Sequence, residues 1–232
     1  VMRRLPFHPI PPVGADADLD RDGAKHARVH QLRDGDEVEL FDGLGRRVAA
    51  RLVERGKTLG FVVLRDLPPR APLPPRELVL GLPKGPDLDA AIRMATELGA
   101  TAIRLAITER SVPRLEGETD EKKLARLRRI ALEASRQCER DLAPEILPPK
   151  PLLDAAADVD PSFDRFVAAE RADAPGPTVR AHGAAVVVGP EGGFTEGELA
   201  ALVALGFTPI SLGPTILRVS TAVAASLARL SV

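Results

Sequence analysis

The sequence predicts an α/β fold with a parallel sheet, preceded by a small β-rich domain, and three observations carry that expectation. ELVLGL (77 to 82), TAIRLAI (101 to 107) and AAVVV (184 to 188) are near-continuous apolar runs of strand length, the pattern of strands buried on both faces. Stretches with apolar residues at three- and four-residue steps lie between them, as a strand and helix alternation requires. Upstream of residue 67 the texture is different: short apolar runs follow one another with only turn residues between.

From the start of the chain, KHARVHQLRDGD (25 to 36) reads as a short helix and a turn. EVELF (37 to 41), an Asp42-Gly43 turn, RVAARLVE (47 to 54) and LGFVVLR (59 to 65) then describe a small barrel or sheet. This sets a first domain at 1–66. LPPRAPLPPR (67 to 76) holds five prolines and reads as a stiff connector, leaving 77–232 as the second domain. There, ELVLGL is followed by a helix over PDLDAAIRMATEL (86 to 98), closed by Gly99, and then by TAIRLAI. A long helix from Asp120 to about Asp141 carries Leu124, Leu127, Ala131, Ala134 and Cys138 on one stripe. Next come a Pro-rich turn, a short helix near Leu152 to Ala157, and the strands FDRFVAA (163 to 169) and Ala184 to Val188. Thr195 with Glu198 has the form of a capping box, opening a helix with Leu199, Leu202 and Val203 on one face. TPISL (208 to 212) is a strand, and a final helix follows Arg218 through TAVAASLARL.

Composition removes several classes of function. A single cysteine, Cys138, forbids an intramolecular disulfide, and the four histidines (His8, His26, His30, His182) lack metal-ligand spacing. No apolar stretch has the length of a signal region or a membrane span, so the expectation is a cytoplasmic protein with no membrane and no metal. Net charge is −1, but it is unevenly spread. Seven basic residues face two acids between Lys122 and Arg140, whereas the chain from Asp141 onward has eleven acids and six bases. Such a basic run is either a solvated helix face or a surface for a polyanion. With no Trp or Tyr and seven Phe, an aromatic platform for stacking bases is poorly supported.

Two glycine-containing turns, GPEGG (189 to 193) and LGPTILR (212 to 218), follow apolar strands and are separated by one helix. Ligands of open parallel sheets bind outside the carboxyl ends of strands, where such turns sit. Each turn can equally be no more than the way a βα unit reverses. GLGRRV (43 to 48) precedes a strand and is no dinucleotide fingerprint, and no P-loop or GxSxG motif occurs.

VVVGPEGGFTEGEL followed by ISLGPTILRVSTAVAASL resembles the SPOUT methyltransferase superfamily, in particular the RsmE-type family that methylates uracil N3 of a uridine in small-subunit (16S) ribosomal RNA. MATELGA (94 to 100), TERSV (108 to 112), EASRQCERDLAPEI (133 to 146) and KHARVHQLRDGDEVELFDG (25 to 43) extend the resemblance over nearly the whole chain. It implies a C-terminal α/β domain with a deep trefoil knot, a PUA-like β-barrel before it, a homodimer, and S-adenosyl-L-methionine as cofactor. It also implies the small ribosomal subunit as partner, and an assembled particle suits a structure-reading barrel and a modest basic patch. Carried over residue by residue, the cofactor loops are Gly189, Pro190, Gly192 and Gly193, then Leu212, Gly213, Thr215, Ile216 and Leu217, with Ala169 and Glu170 as a third contributor. The glycines would leave room for the ligand. One departure stands out: the family usually continues ILR with Thr-Glu-Thr, where this chain has Val219-Ser220-Thr221.

Methyl transfer to N3 asks for in-line placement and stabilisation of the developing imide charge. Arg218 is the candidate for that charge, against a plain helix-entry arginine. Glu191 is the candidate for accepting the proton or orienting a base edge, against a residue that only braces its loop. RNA contact is expected from Arg3, Arg4, His26, Arg28 and Arg33 of the first domain, and from Arg110, Arg136 and Arg140. The alternatives left open are another SPOUT enzyme acting on a different base or a ribose 2′-oxygen, a noncatalytic RNA-binding assembly protein, and an anion binder using GPEGG as a nest.

Overall fold

The computed structural model describes residues 2–56, 58–111, 120–169, 177–179 and 182–230. In chain order the elements are β1 (Arg3–Pro6), β2 (Asp16–Asp18), α1 (Arg21–Val29), β3 (Glu37–Phe41), β4 (Arg47–Arg55), β5 (Thr58–Asp66), β6 (Arg76–Gly81), α2 (Asp87–Glu97) and β7 (Ala102–Ile107). They continue with α3 (Asp120–Gln137), β8 (Glu145–Pro151), α4 (Leu152–Ala157), β9 (Asp164–Ala168), β10 (Ala184–Val188), α5 (Glu196–Ala204), β11 (Thr208–Ile210) and α6 (Val219–Leu230). No helix of the described residues is long and apolar enough to cross a membrane.

The chain divides into two compact units, Val1–Pro72 with Leu132–Ala143, and Leu73–Ala131 with Pro144–Val232. The first holds a five-stranded sheet ordered β1-β3-β4-β5-β2, in which β1 runs parallel to β3 and the other pairs are antiparallel. Leu5, Val38, Leu40, Val48, Ala50, Leu52 and Phe61 form its core, on alternate positions of the strands. Against that sheet lies a buried ionic cluster. Glu39, 4% exposed, accepts Arg4 Nε at 2.8 Å on Oε1, Arg47 Nε and Nη2 at 2.9 Å each, and Arg70 Nη2 at 3.3 Å. Asp141 takes the Nη2 end of Arg4, whose guanidinium also stands over the Phe41 ring at 4.3 Å.

The second unit is an α/β layer structure on a six-stranded sheet ordered β11-β9-β10-β6-β7-β8, every neighbouring pair parallel. This is the parallel sheet that the apolar runs predict. Alternate side chains of each strand serve opposite faces. Leu78, Leu80, Val186 and Val188 pack with Ile92, Leu127 and Val223 of α2, α3 and α6, while Val79, Val187 and Val167 pack with Ala155 and Leu202 of α4 and α5. The stripe read on α3 is buried through Leu127, Ala131 and Ala134, but the helix ends at Gln137 rather than near Asp141.

The segment read as a Pro-rich turn is corrected to a strand, β8, with sequence EILPPKP. A proline cannot donate to a ladder, so such a strand survives only at a sheet edge, and β8 is the edge next to β7. The predicted capping box forms: Thr195 Oγ1 accepts Glu198 N at 3.2 Å, and Glu198 Oε2 accepts Thr195 N at 2.9 Å. Leu202 turns inward while Val203 faces solvent. Thr195→Ala removes this cap and costs about 1 kcal/mol. Thermal unfolding therefore shows a midpoint lowered by roughly 2–4 °C.

Candidate active site

The second sheet reverses its strand order between β6 and β10, and loops after β9, β10 and β11 converge at that carboxyl end. Close approach is built in at Gly81, the end of β6, where an added Cβ would stand 2.8 Å from Pro190 Cδ and 3.2 Å from Thr108 Cγ2. The loops line a cleft of about 190 Å³. All nine residues assigned to the cofactor loops by resemblance, from Gly189 to Gly193 and from Leu212 to Leu217, meet there, together with Ala169. Glu170 lies outside the described residues.

The cleft has apolar walls from Ala168, Val188, Leu199, Leu212, Leu217 and Val219, and an exposed lip at Ile216, 60% accessible. Among the described residues, the main-chain N–H groups of Leu212, Thr215, Ile216 and Leu217 have no backbone acceptor, which leaves donors beside an apolar floor. This donor set fits a ligand with a flat apolar body and polar edges. The glycines have more than one physical reason. Gly193 and Gly213 adopt φ of 65° and 128°, which side chains rarely take. Gly189 and Gly192 are instead hemmed in by protein: an added Cβ meets the Phe194 ring at 3.2 Å in one case and Arg110 at 3.3 Å in the other.

Arg110 is the cleft residue that sequence reasoning placed elsewhere. It lines the cavity and its Nη1 donates to Gly192 O at 2.6 Å. The turn that carries it is anchored to α5, since buried Glu198 accepts Glu109 N at 2.8 Å on Oε1 while its other oxygen completes the cap. One carboxylate thus fixes a helix start and a loop wall. The signal for Arg110 was its place just after β7, at the same end of the sheet as both glycine turns.

Arg218 and Glu191 are not wall residues. Arg218 is exposed between cavity-lining Leu217 and Val219, its carbonyl accepts Ala222 N at 2.8 Å, and its guanidinium has no partner among the described residues. Glu191 is exposed and its Oε1 accepts Lys84 N at 2.8 Å, a contact that braces the loop. Where the family carries Thr-Glu, Val219 is 3% exposed and Ser220 is buried as well.

Of the residues expected to meet RNA, seven lie in the first unit and Arg110 in the second. Arg3, Arg28 and Arg33 are exposed. Arg4 is not: at 9% exposure, with Glu39 and Asp141 on its guanidinium, it is a structural cation and leaves the RNA set. His26 and Arg136, far apart in sequence and both half-buried, line one cavity of the first unit, and Arg136 Nε donates to Asp42 O at 3.2 Å. Arg140 is half-buried, and burial pushes its guanidinium below the ordinary value.

The RNA methyltransferase domain family matches residues 69–231. The chain is 34% identical, over 96% of its length and 88% of the relative's, to ribosomal RNA small subunit methyltransferase E of Mycobacterium bovis. The chain belongs to this methyltransferase family. Among solved structures, the methyltransferase E of Neisseria gonorrhoeae bound to S-adenosyl methionine is 29% identical, with a TM-score of 0.71 over 98% of this chain and 96% of that one. A methyltransferase from Legionella pneumophila in complex with the same cofactor is 26% identical, with a TM-score of 0.76 over 100% and 97%. A methyltransferase E of Bacillus subtilis is 31% identical over 84% of this chain and 80% of its own length.

Proposed function

We propose that the protein methylates uracil N3 of a uridine in small-subunit ribosomal RNA, using S-adenosyl-L-methionine held in the cleft after β9, β10 and β11. The observation that carries this reading is that one cleft gathers the nine residues of the two glycine-containing loops that the resemblance assigns to the cofactor. The cofactor, when bound, supplies an activated methyl group. Leu212, Ile216 and Leu217 wall its apolar part, and the main-chain donors of the 212–217 loop meet its polar edges. Arg110 holds the Gly192 carbonyl and so fixes the opposite wall. Arg218 stands at the rim to stabilise the imide charge that develops at uracil, and Glu191, whose Oε1 accepts Lys84 N, takes the N3 proton or orients a base edge.

The reading includes a PUA-like barrel in the first unit, a trefoil knot in the second, a homodimer, and an assembled cytoplasmic subunit as substrate. Arg3, Arg28 and Arg33 contact phosphates and position the RNA without reading sequence. Neutralising any one of them weakens RNA binding uniformly across sequences and lowers the slope of log affinity against log salt by about 1. Titrations of RNA at a series of salt concentrations check this. The deciding assay for the activity is transfer of labelled methyl to unmethylated small subunits, free ribosomal RNA and transfer RNA, with nucleoside analysis of the product. Label in 3-methyluridine of the small-subunit RNA supports the reading. Label in a 2′-O-methyl nucleoside or another base, or none on any substrate, rejects it.

A further inference from the structure

The first unit contains a second cavity, of about 580 Å³, beside α1 and the last turn of α3. That volume is in the range of small-ligand pockets. We propose that it receives one nucleotide of the RNA, splayed out of its strand, so that RNA is held by a pocket and not only by surface charge. The inference rests on the RNA methyltransferase reading.

Its walls have the chemistry an unstacked nucleotide needs. Phe7 and Val29 are apolar, and the Phe7 ring is held edge-on against buried Phe61, centroids 4.7 Å apart at 80°. His26 lines the cavity, its ring 4.8 Å from that of His30 and tilted to it by 30°, and offers a π-face on which a base can stack. Cations stand with these rings: Lys25 and Arg136 both line the cavity. Arg136 is the decisive residue. Its Nε is engaged by Asp42 O, but its Nη2 is buried and unpartnered among the described residues. A buried guanidinium nitrogen without an acceptor is rare in native proteins, and a phosphate or base oxygen would supply the missing one. The lining holds two acids, Asp20 and Glu133: Asp20 already caps α1, accepting Gly23 N at 2.7 Å, and Glu133 is exposed to solvent.

The test uses the full chain. Val29, 69% exposed at the rim, is changed to Glu, a substitution that leaves the core untouched. Arg136→Lys keeps the charge and removes the planar fork. Each is expected to weaken direct binding of small-subunit RNA about tenfold, raising KM for RNA, with cofactor affinity and kcat at saturating RNA unchanged. Photocrosslinking of 4-thiouridine-substituted RNA to the unaltered protein is expected to label peptides containing residues 6–8 or 25–29. Unchanged RNA affinity in both variants, or crosslinks confined to other peptides, overturns the pocket while leaving methyl transfer by the unaltered protein intact. Failure of the unaltered protein to bind or methylate ribosomal RNA overturns the parent reading, and the pocket with it.

Discussion

Arg218→Ala lowers methyl transfer to ribosomal RNA by about 10²–10³-fold, the range seen when one preorganised donor to a developing anion is removed. Cofactor affinity changes little, because the side chain is exposed at the rim and is absent from the cavity wall, whereas Leu217 and Val219 on either side form part of it. The backbone stays in place through the bond from Ala222 N to Arg218 O. Single-turnover rates with saturating cofactor, set against cofactor binding by calorimetry, separate the two quantities. Equal losses in both mean that Arg218 shapes the cofactor loop, and the catalytic assignment is then wrong. Arg218→Lys recovers part of the rate, since a point charge replaces a fork. Glu191→Gln, which keeps an acceptor for Lys84 N, separates bracing from proton acceptance: activity persists if the contact is what matters.

The largest effect on stability is expected at Glu39. Replacing it with Gln leaves Arg4, Arg47 and Arg70 facing a neutral amide in a buried site, and breaking one side of such a cluster costs about 3–5 kcal/mol. The acid dependence carries a second signature. Burial pushes the Glu39 carboxyl upward, but hydrogen bonds from Arg47 and Arg4 outweigh it and hold the group below its usual value of about 4.5. A carboxylate depressed in the folded state stabilises the protein above its unfolded pKa and ceases to do so as pH falls through the folded pKa. Urea denaturation should thus show the two proteins far apart at neutral pH and converging as pH is taken below about 4.5. A constant gap across that window would show that the loss is one of packing and not of charge.

The central strands and the helix start were legible because local chemistry and tertiary role coincide there. Ala184 to Val188 is apolar on both faces since both are covered, and Thr195 with Glu198 marks a cap that needs no distant partner. Residues whose surroundings come from far along the chain were not legible. Arg4 reads as one of several basic residues near the start, and only Glu39 and Asp141 make it an interior cation. Pro148 and Pro149 argue against a strand until β8 is seen to be an edge. The two glycine-containing loops were assigned to the cofactor by resemblance, yet the reason for two of their glycines, pressure from Phe194 and Arg110, depends on contacts across the fold.

The order of strands in the second sheet also sets a timetable for making the protein. β6 finds its neighbour β7 soon after both leave the ribosome, but its other neighbour, β10, is translated about a hundred residues later, roughly 5–20 s at ordinary elongation rates. During that interval the apolar edge of Arg76–Gly81 has no ladder on one side, and it is the segment on which a nascent chain would aggregate or recruit a chaperone. The cleft that Val188 of β10 helps to line is therefore among the last parts of the protein to exist.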